Sequence, residues 1–289
     1  MSLPRFLSAI VAIILALGMI VLGGWYFTAG FGVIVYLGLQ EYFDLVRAKG
    51  ILPAGKTTVG VSLILLVTAN LAPNLVDAVM PVAGTLICFY LLFQPKLATI
   101  ADISSSILGL FYGGYLPSYW VRLRNLGGAE ASNLPLGGYF PNWPLQLQDL
   151  PQGLTVTLLA FGCIWAADIG AYIFGKLFGR TRLTDISPKK TVEGAVFGVL
   201  GSVAVASCGS WYLGWAGAPL SGMALGLMVG IASLLGDLTE SMMKRDAGVK
   251  DSGQLIPGHG GILDRTDSYV FIAPLVFYFV TLLLPVLAH

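Results

Sequence analysis

Nine apolar runs, separated by short polar or turn-rich breaks, occupy most of this 289-residue chain. They fall roughly at Phe6–Gly23, Ala29–Val46, Thr57–Ala72, Ala78–Phe93, Leu97–Leu116, Gly153–Gly175, Gly194–Trp215, Leu220–Gly236 and Ser268–Leu287. A bilayer-crossing helix needs about 20 mainly apolar residues. The runs are continuous rather than alternating, which argues against a membrane β-barrel.

Charge is correspondingly scarce. Only 11% of residues are charged and 56% are hydrophobic, whereas about 25% are charged in ordinary soluble proteins. So little charge cannot screen so much apolar surface from water. The expected fold is therefore all-α, a polytopic integral membrane protein with about nine transmembrane helices. A soluble enzyme and a disordered chain are both excluded. The net charge of +1 gives no basic field for nucleic acid. Cys88, Cys163 and Cys208 lie in apolar runs without a Cys-x-x-Cys pair, so neither a disulfide framework nor a thiolate metal site is supported.

Basic residues orient the chain. With the N-terminus in the cytoplasm, 14 of the 16 Lys and Arg fall on the cytoplasmic side, and only Arg122 and Arg124 fall outside. The first run is read as a retained span, since no small-residue cleavage site follows it. Residues 1–289 form a single membrane domain in this reading. It comprises N-terminal helices over 1–116, an external or interfacial loop over 117–152, and C-terminal helices over 153–289 with cytoplasmic loops 176–193 and 237–267.

Those two loops hold 17 of the 31 charged residues. Polar groups retained in a membrane protein mark function. A helix continuing past Gly236 would place Asp237, Ser241 and Lys244 on one face, at i, i+4 and i+7. Asp264 and Asp267 sit i, i+3 at the start of the last helix, where acids suit the helix dipole. Between them lie Lys244, Arg245, Lys250, Gly258, His259, Gly260, Gly261 and Arg265. Carboxylates at both ends of a basic, glycine-rich loop suit Mg²⁺ together with phosphates. Glycines let backbone N–H groups approach a phosphate closely.

The stretch Ser241 to Asp267 resembles the signature of the phosphatidate cytidylyltransferase family, the CDP-diacylglycerol synthases. The match includes Ser241, Lys244-Arg245, Lys250-Asp251, Pro257, His259-Gly260-Gly261, Asp264-Arg265 and Asp267. Asp168 to Gly175 and Ile186 to Gly194 resemble the family's upstream block, and Glu41-Tyr42 is also similar. Gly114 to Arg124 resembles the cyanobacterial and plastid branch, which implies a bacterial inner membrane or a thylakoid-type membrane. The resemblance implies transfer of CMP from CTP to phosphatidic acid at the bilayer, giving CDP-diacylglycerol and pyrophosphate. It also implies Mg²⁺ held by Asp237 and Asp264, and admits a second cation.

Other residues take expectations from the same chemistry. Asp168, about seven residues inside span six, lies roughly 10 Å deep and faces a watery cavity or a partner rather than lipid; it either binds metal or nucleotide near that cavity or makes a structural hydrogen bond or ion pair between helices. Lys189 and Lys190 either bind triphosphate or anchor the chain on the positive side. His259 bonds a phosphate oxygen, assists proton transfer, or orients the loop. Ser241, Lys250, Gly260 and Gly261 complete the substrate-binding set, and Lys244, Arg245 and Arg265 the catalytic one. The pairs Gly194/Gly198 and Gly226/Gly230 serve either internal packing or a homodimer. Two rivals remain: a CTP-dependent polyprenol-type kinase, which would release CDP, and a transporter, for which no internal repeat is found.

Overall fold

The computed structural model describes residues 3–127, 132–143, 150–255 and 260–287, with side chains from Ile10 onward. The regular secondary structure among the described residues is helical, with two isolated bridges and no strand. The apolar runs fall largely on helix, although Leu97 to Thr99 of the fifth precede the helix that begins at Ile100. Six helices are long and apolar enough to cross a membrane: Gly24–Ala48, Pro73–Leu92, Gln152–Phe178, Val192–Tyr212, Leu220–Asp246 and Leu263–Val286. Ile10–Leu22 and Gly55–Leu71 are shorter apolar helices. Large side chains such as Ile14, Val33, Leu86, Phe93, Leu200 and Leu235 are exposed along these elements. That outward apolar surface suits a lipid solvent.

The chain forms two compact units, Met1–Phe140 with Met243–Thr266, and Pro141–Met242 with Asp267–His289. The first contains α1 (Leu3–Leu22), α2 (Gly24–Ala48), α3 (Gly55–Leu71), α4 (Val76–Leu92), α5 (Ile100–Leu110) and α6 (Leu116–Arg124). Its core is built on Phe27, Phe31, Val35, Leu39 and Phe43 of α2, Leu65 and Leu66 of α3, and Tyr119, Trp120 and Leu123 of α6. Thr99 and Asp102 form a reciprocal capping box that starts α5.

Helix continues beyond the expected end of the fifth run. A π-turn over Phe111–Tyr115 joins α5 to α6, and the Leu116 N–H bonds the Phe111 carbonyl five residues back. Pro117 supplies the reason, since it has no N–H for the α-helical bond to residue 113. Phe279–Leu283 repeats the arrangement ahead of Pro285. The stretch from 117 to 124, expected in a loop, is therefore a buried helix. Its two arginines are internal: Arg122 meets Asp77 at 3.0 Å, and Arg124 donates to the carbonyls of Ile20 and Val21. Tyr115 and Tyr119 also donate to Asp77, at 2.9 and 3.0 Å. Two basic residues that were exceptions to the charge asymmetry thus have structural partners.

The second unit is built on α7 (Gln152–Phe178), α8 (Val192–Tyr212) and the larger part of α9 (Leu220–Asp246). Gly194, Gly198, Ser202, Ala206 and Ser210 form a buried stripe of small residues every fourth position along α8. A Cβ on Gly198 would stand 2.7 Å from the Ala167 carbonyl of α7, and one on Gly226 of α9 would stand 2.5 Å from Val203 Cα of α8. Both small-residue pairs are thus used within the chain, to bring neighbouring helices close.

The final helical stretch comprises α10 (Leu263–Val270), α11 (Ile272–Tyr278) and α12 (Leu284–Val286). Both α9 and α10 contribute residues to each unit.

Candidate active site

α9 runs unbroken through Gly236, so Asp237, Ser241 and Lys244 share the face expected of them. Ser241 Oγ approaches Asp237 Oδ1 at 3.4 Å. One turn along, Glu240 is fully buried. Gly236 lets the next helical stretch come close, since a Cβ there would lie 2.6 Å from the Asp267 carbonyl. Asp237, Glu240 and Asp267 each offer a carboxylate oxygen, all within 4.8 Å of one another. Three hard oxygen donors so placed fit a divalent cation such as Mg²⁺.

The connection before α8 brings a counter-charge to this group. It doubles back on itself: the Leu183 N–H bonds the Lys190 carbonyl, and the Val192 N–H bonds the Thr181 carbonyl. Thr191 caps α8 by accepting from the Gly194 N–H at 3.1 Å. The Glu193 carboxylate accepts from the Thr181 N–H at 3.1 and 3.2 Å. In this hairpin Lys190 Nζ reaches Asp237 Oδ2 at 2.6 Å, while Lys189 is exposed. Asp168 of α7 is exposed and accepts from Ser233 Oγ at 3.2 Å.

In the first unit, Lys244 Nζ lies 2.6 Å from Asp264 Oδ1. Both side chains are largely buried, at 11% and 8% exposed. Asp264 Oδ2 accepts from the Ser252 N–H at 2.9 Å, Ser252 Oγ at 3.0 Å and the Gly261 N–H at 2.8 Å. The Gly261 N–H, expected to face a phosphate, is thus engaged by Asp264. Gly260 adopts φ +84°, a left-handed conformation suited to glycine, with no room for a Cβ beside Asp264 Oδ2. Arg245 donates to the Val249 carbonyl at 2.9 Å. Arg245, Lys250 and Arg265 are exposed. His259 lies outside the described residues, with Pro257 and Gly258.

The expected ligands Asp237 and Asp264 therefore each have a lysine of their own, Lys190 and Lys244. Asp267, expected beside Asp264 at the end of the loop, joins Asp237 instead, and two further acids are placed at these groups: Glu240 and Glu41 of α2. Glu41 Oε2 accepts from Ser252 Oγ at 2.8 Å and from the Leu263 N–H at 2.9 Å, while Oε1 accepts from the Ile262 N–H at 2.9 Å. A carboxylate inside an otherwise apolar run was the available signal for Glu41, and helical spacing from Asp237 at i, i+3 was the signal for Glu240.

The cytidylyltransferase family model matches residues 3–283. This chain belongs to the cytidylyltransferase family. A Synechocystis member, named a phosphatidate cytidylyltransferase, is 66% identical over 99% of both chains. The chloroplastic phosphatidate cytidylyltransferase 4 of Arabidopsis thaliana is 45% identical over 92% of this chain and 70% of its own length. A Staphylococcus aureus phosphatidate cytidylyltransferase is 43% identical over 43% of this chain and 48% of its own. These matches place the chain with family members from cyanobacteria, chloroplasts and other bacteria.

Proposed function

We propose that this protein transfers CMP from CTP to phosphatidic acid, giving CDP-diacylglycerol and pyrophosphate. The carrying observation is full-length similarity, at 66% identity, to a phosphatidate cytidylyltransferase. The grouped carboxylates and paired lysines give the reading its chemistry.

In the reaction a phosphate oxygen of phosphatidic acid bonds to the α-phosphorus of CTP. The bond from that phosphorus to the α,β-bridging oxygen breaks, and pyrophosphate leaves. The attacking phosphate is already anionic near neutral pH, so no strong general base is required. The obstacle is repulsion between a phosphomonoester and a triphosphate. Lys190 and Lys189 suit the triphosphate, and Lys244, Arg245, Lys250 and Arg265 supply further positive charge. Asp237, Glu240 and Asp267 would hold a divalent cation, which supplies charge neutralisation for the phosphates. Asp264, which the resemblance implies as a ligand, would hold the cation in competition with Lys244. Asp168, Ser241, Gly260 and His259 keep their proposed places in substrate binding and loop function.

This reading extends to topology. Nine spans in one membrane domain, with the N-terminus and both charged segments on the cytoplasmic side, are supported by the distribution of basic residues. Cyanobacterial and chloroplastic relatives support an inner or thylakoid membrane. An assay of purified protein with CTP, phosphatidic acid and Mg²⁺ tests the function. Release of pyrophosphate supports the transferase, and release of CDP supports a lipid kinase.

A further inference from the structure

We infer that Glu41 is a positioning residue, holding the signature loop so that Lys244 and Asp264 are presented in register. The inference rests on the transferase reading for its functional meaning, and on geometry for its existence. Glu41 belongs to α2, 211 residues before its partner Ser252. Its two oxygens take three donors: Ser252 Oγ, the Ile262 N–H and the Leu263 N–H. Leu263 is the first residue of α10, so Glu41 caps that helix from outside the local chain. Asp264 follows immediately, and its Oδ2 accepts the Ser252 N–H at 2.9 Å and lies 3.0 Å from the Ser252 hydroxyl, whose single proton serves one carboxylate at a time.

One serine therefore ties together a carboxylate of α2 and the carboxylate paired with Lys244. Two glycines make the approach possible. A Cβ on Gly253 would lie 2.6 Å from Glu41 Oε1, and one on Gly261 would collide with Glu41 Oε2 and Ser252 Oγ. Such spacing explains why glycine stands at both ends of this part of the loop. A capping acid alone would need only the α10 N–H groups. Contacts to both flanks of the loop instead fix where Asp264 and Lys244 stand.

The position also distinguishes Glu41 from its neighbour Asp44. Asp44 is well exposed, at 71%, and pairs with Arg47 on its own helix at 2.9 Å. It provides a matched control, an acid removed from the same helix without loss of a loop contact.

The test compares Glu41→Gln, Ser252→Ala and Asp44→Asn in detergent-purified full-length protein, by kinetics and by trypsin cleavage within the segment containing Lys250. Glutamine keeps the shape but places an NH₂ donor against a hydrogen-bond donor. Glu41→Gln is expected to lower kcat about 10- to 100-fold, with KM for CTP and phosphatidic acid changed by less than about threefold, and to speed cleavage at Lys250. Ser252→Ala is expected to lower kcat about tenfold with its melting temperature kept. Asp44→Asn should match the wild type in all of these.

If Glu41→Gln does not fold, the Ser252→Ala result decides by the same two readouts. Wild-type kcat and wild-type protection of Lys250 in the folded variants would overturn the inference. An inactive wild type whose Lys250 is exposed by Glu41→Gln would overturn the transferase reading and leave the clamp supported.

Discussion

Lys190 Nζ stands 2.6 Å from Asp237 Oδ2, joining the hairpin before α8 to the acidic group on α9. A lysine suited to triphosphate is thus held on a carboxylate suited to a metal ion. Under the proposed function, a triphosphate and a cation would compete with this pair for its two side chains. Lys190 is therefore part of the chemistry in this account, whereas exposed Lys189 touches no acid of the group.

Lys190→Gln is expected to lower kcat/KM for CTP by about 10- to 100-fold, the equivalent of one charge-assisted bond of roughly 1.5–3 kcal/mol. Lys189→Gln should cost less than Lys190→Gln. Steady-state kinetics with varied CTP measures both. Equal small effects would mean that the two lysines only anchor the chain at the membrane surface.

Glu240→Gln and Asp267→Asn test the metal-binding group without relying on turnover. Each removes one of three candidate oxygen donors, and loss of a ligand should weaken affinity by at least about tenfold. Mn²⁺ binding followed by electron paramagnetic resonance reads the change directly. Wild-type Mn²⁺ affinity in both variants would remove the group from the metal site.

Removing the cation from the pair Lys244 and Asp264 should destabilise the protein. Lys244→Met leaves a largely buried carboxylate without its ammonium, at a cost on the order of 3 kcal/mol. Adding Asp264→Asn should restore part of that loss. Thermal unfolding of the single and double variants reports the coupling, and strict additivity would show that the pair carries none.

Close helix packing gives a prediction unconnected with charge. A Cβ at Gly198 falls 2.7 Å from a backbone carbonyl of α7, so Gly198→Ala should destabilise by about 1–3 kcal/mol. Gly60 of α3 has open space around it, and Gly60→Ala should stabilise by up to about 1 kcal/mol through helix propensity. Melting temperatures moving in opposite directions would support the assignment. A common direction would contradict it.

The helices were legible because an apolar run in lipid has little choice but to satisfy its backbone internally. The face carrying Asp237, Ser241 and Lys244 was legible from helical periodicity alone. The helix from Leu116 to Arg124 was not, because its proline, aromatic residues and arginines read as a loop. Asp77, far earlier in the chain, accepts Arg122 and makes that helix a buried element. Glu41 was marked by its resemblance to the family, but its partners were not: its donors lie on residues 252, 262 and 263, a separation no local spacing records. Glu240 and Asp267 complete a group whose proximity depends on how two helices approach at Gly236.

The most direct test follows isotope from CTP. Purified protein is given phosphatidic acid, Mg²⁺ and CTP labelled either on the α- or on the γ-phosphorus. The α-label is expected in a lipid product, CDP-diacylglycerol, and the γ-label in pyrophosphate. Transfer of γ-label to a lipid, with α-label left in CDP, would contradict the transferase reading.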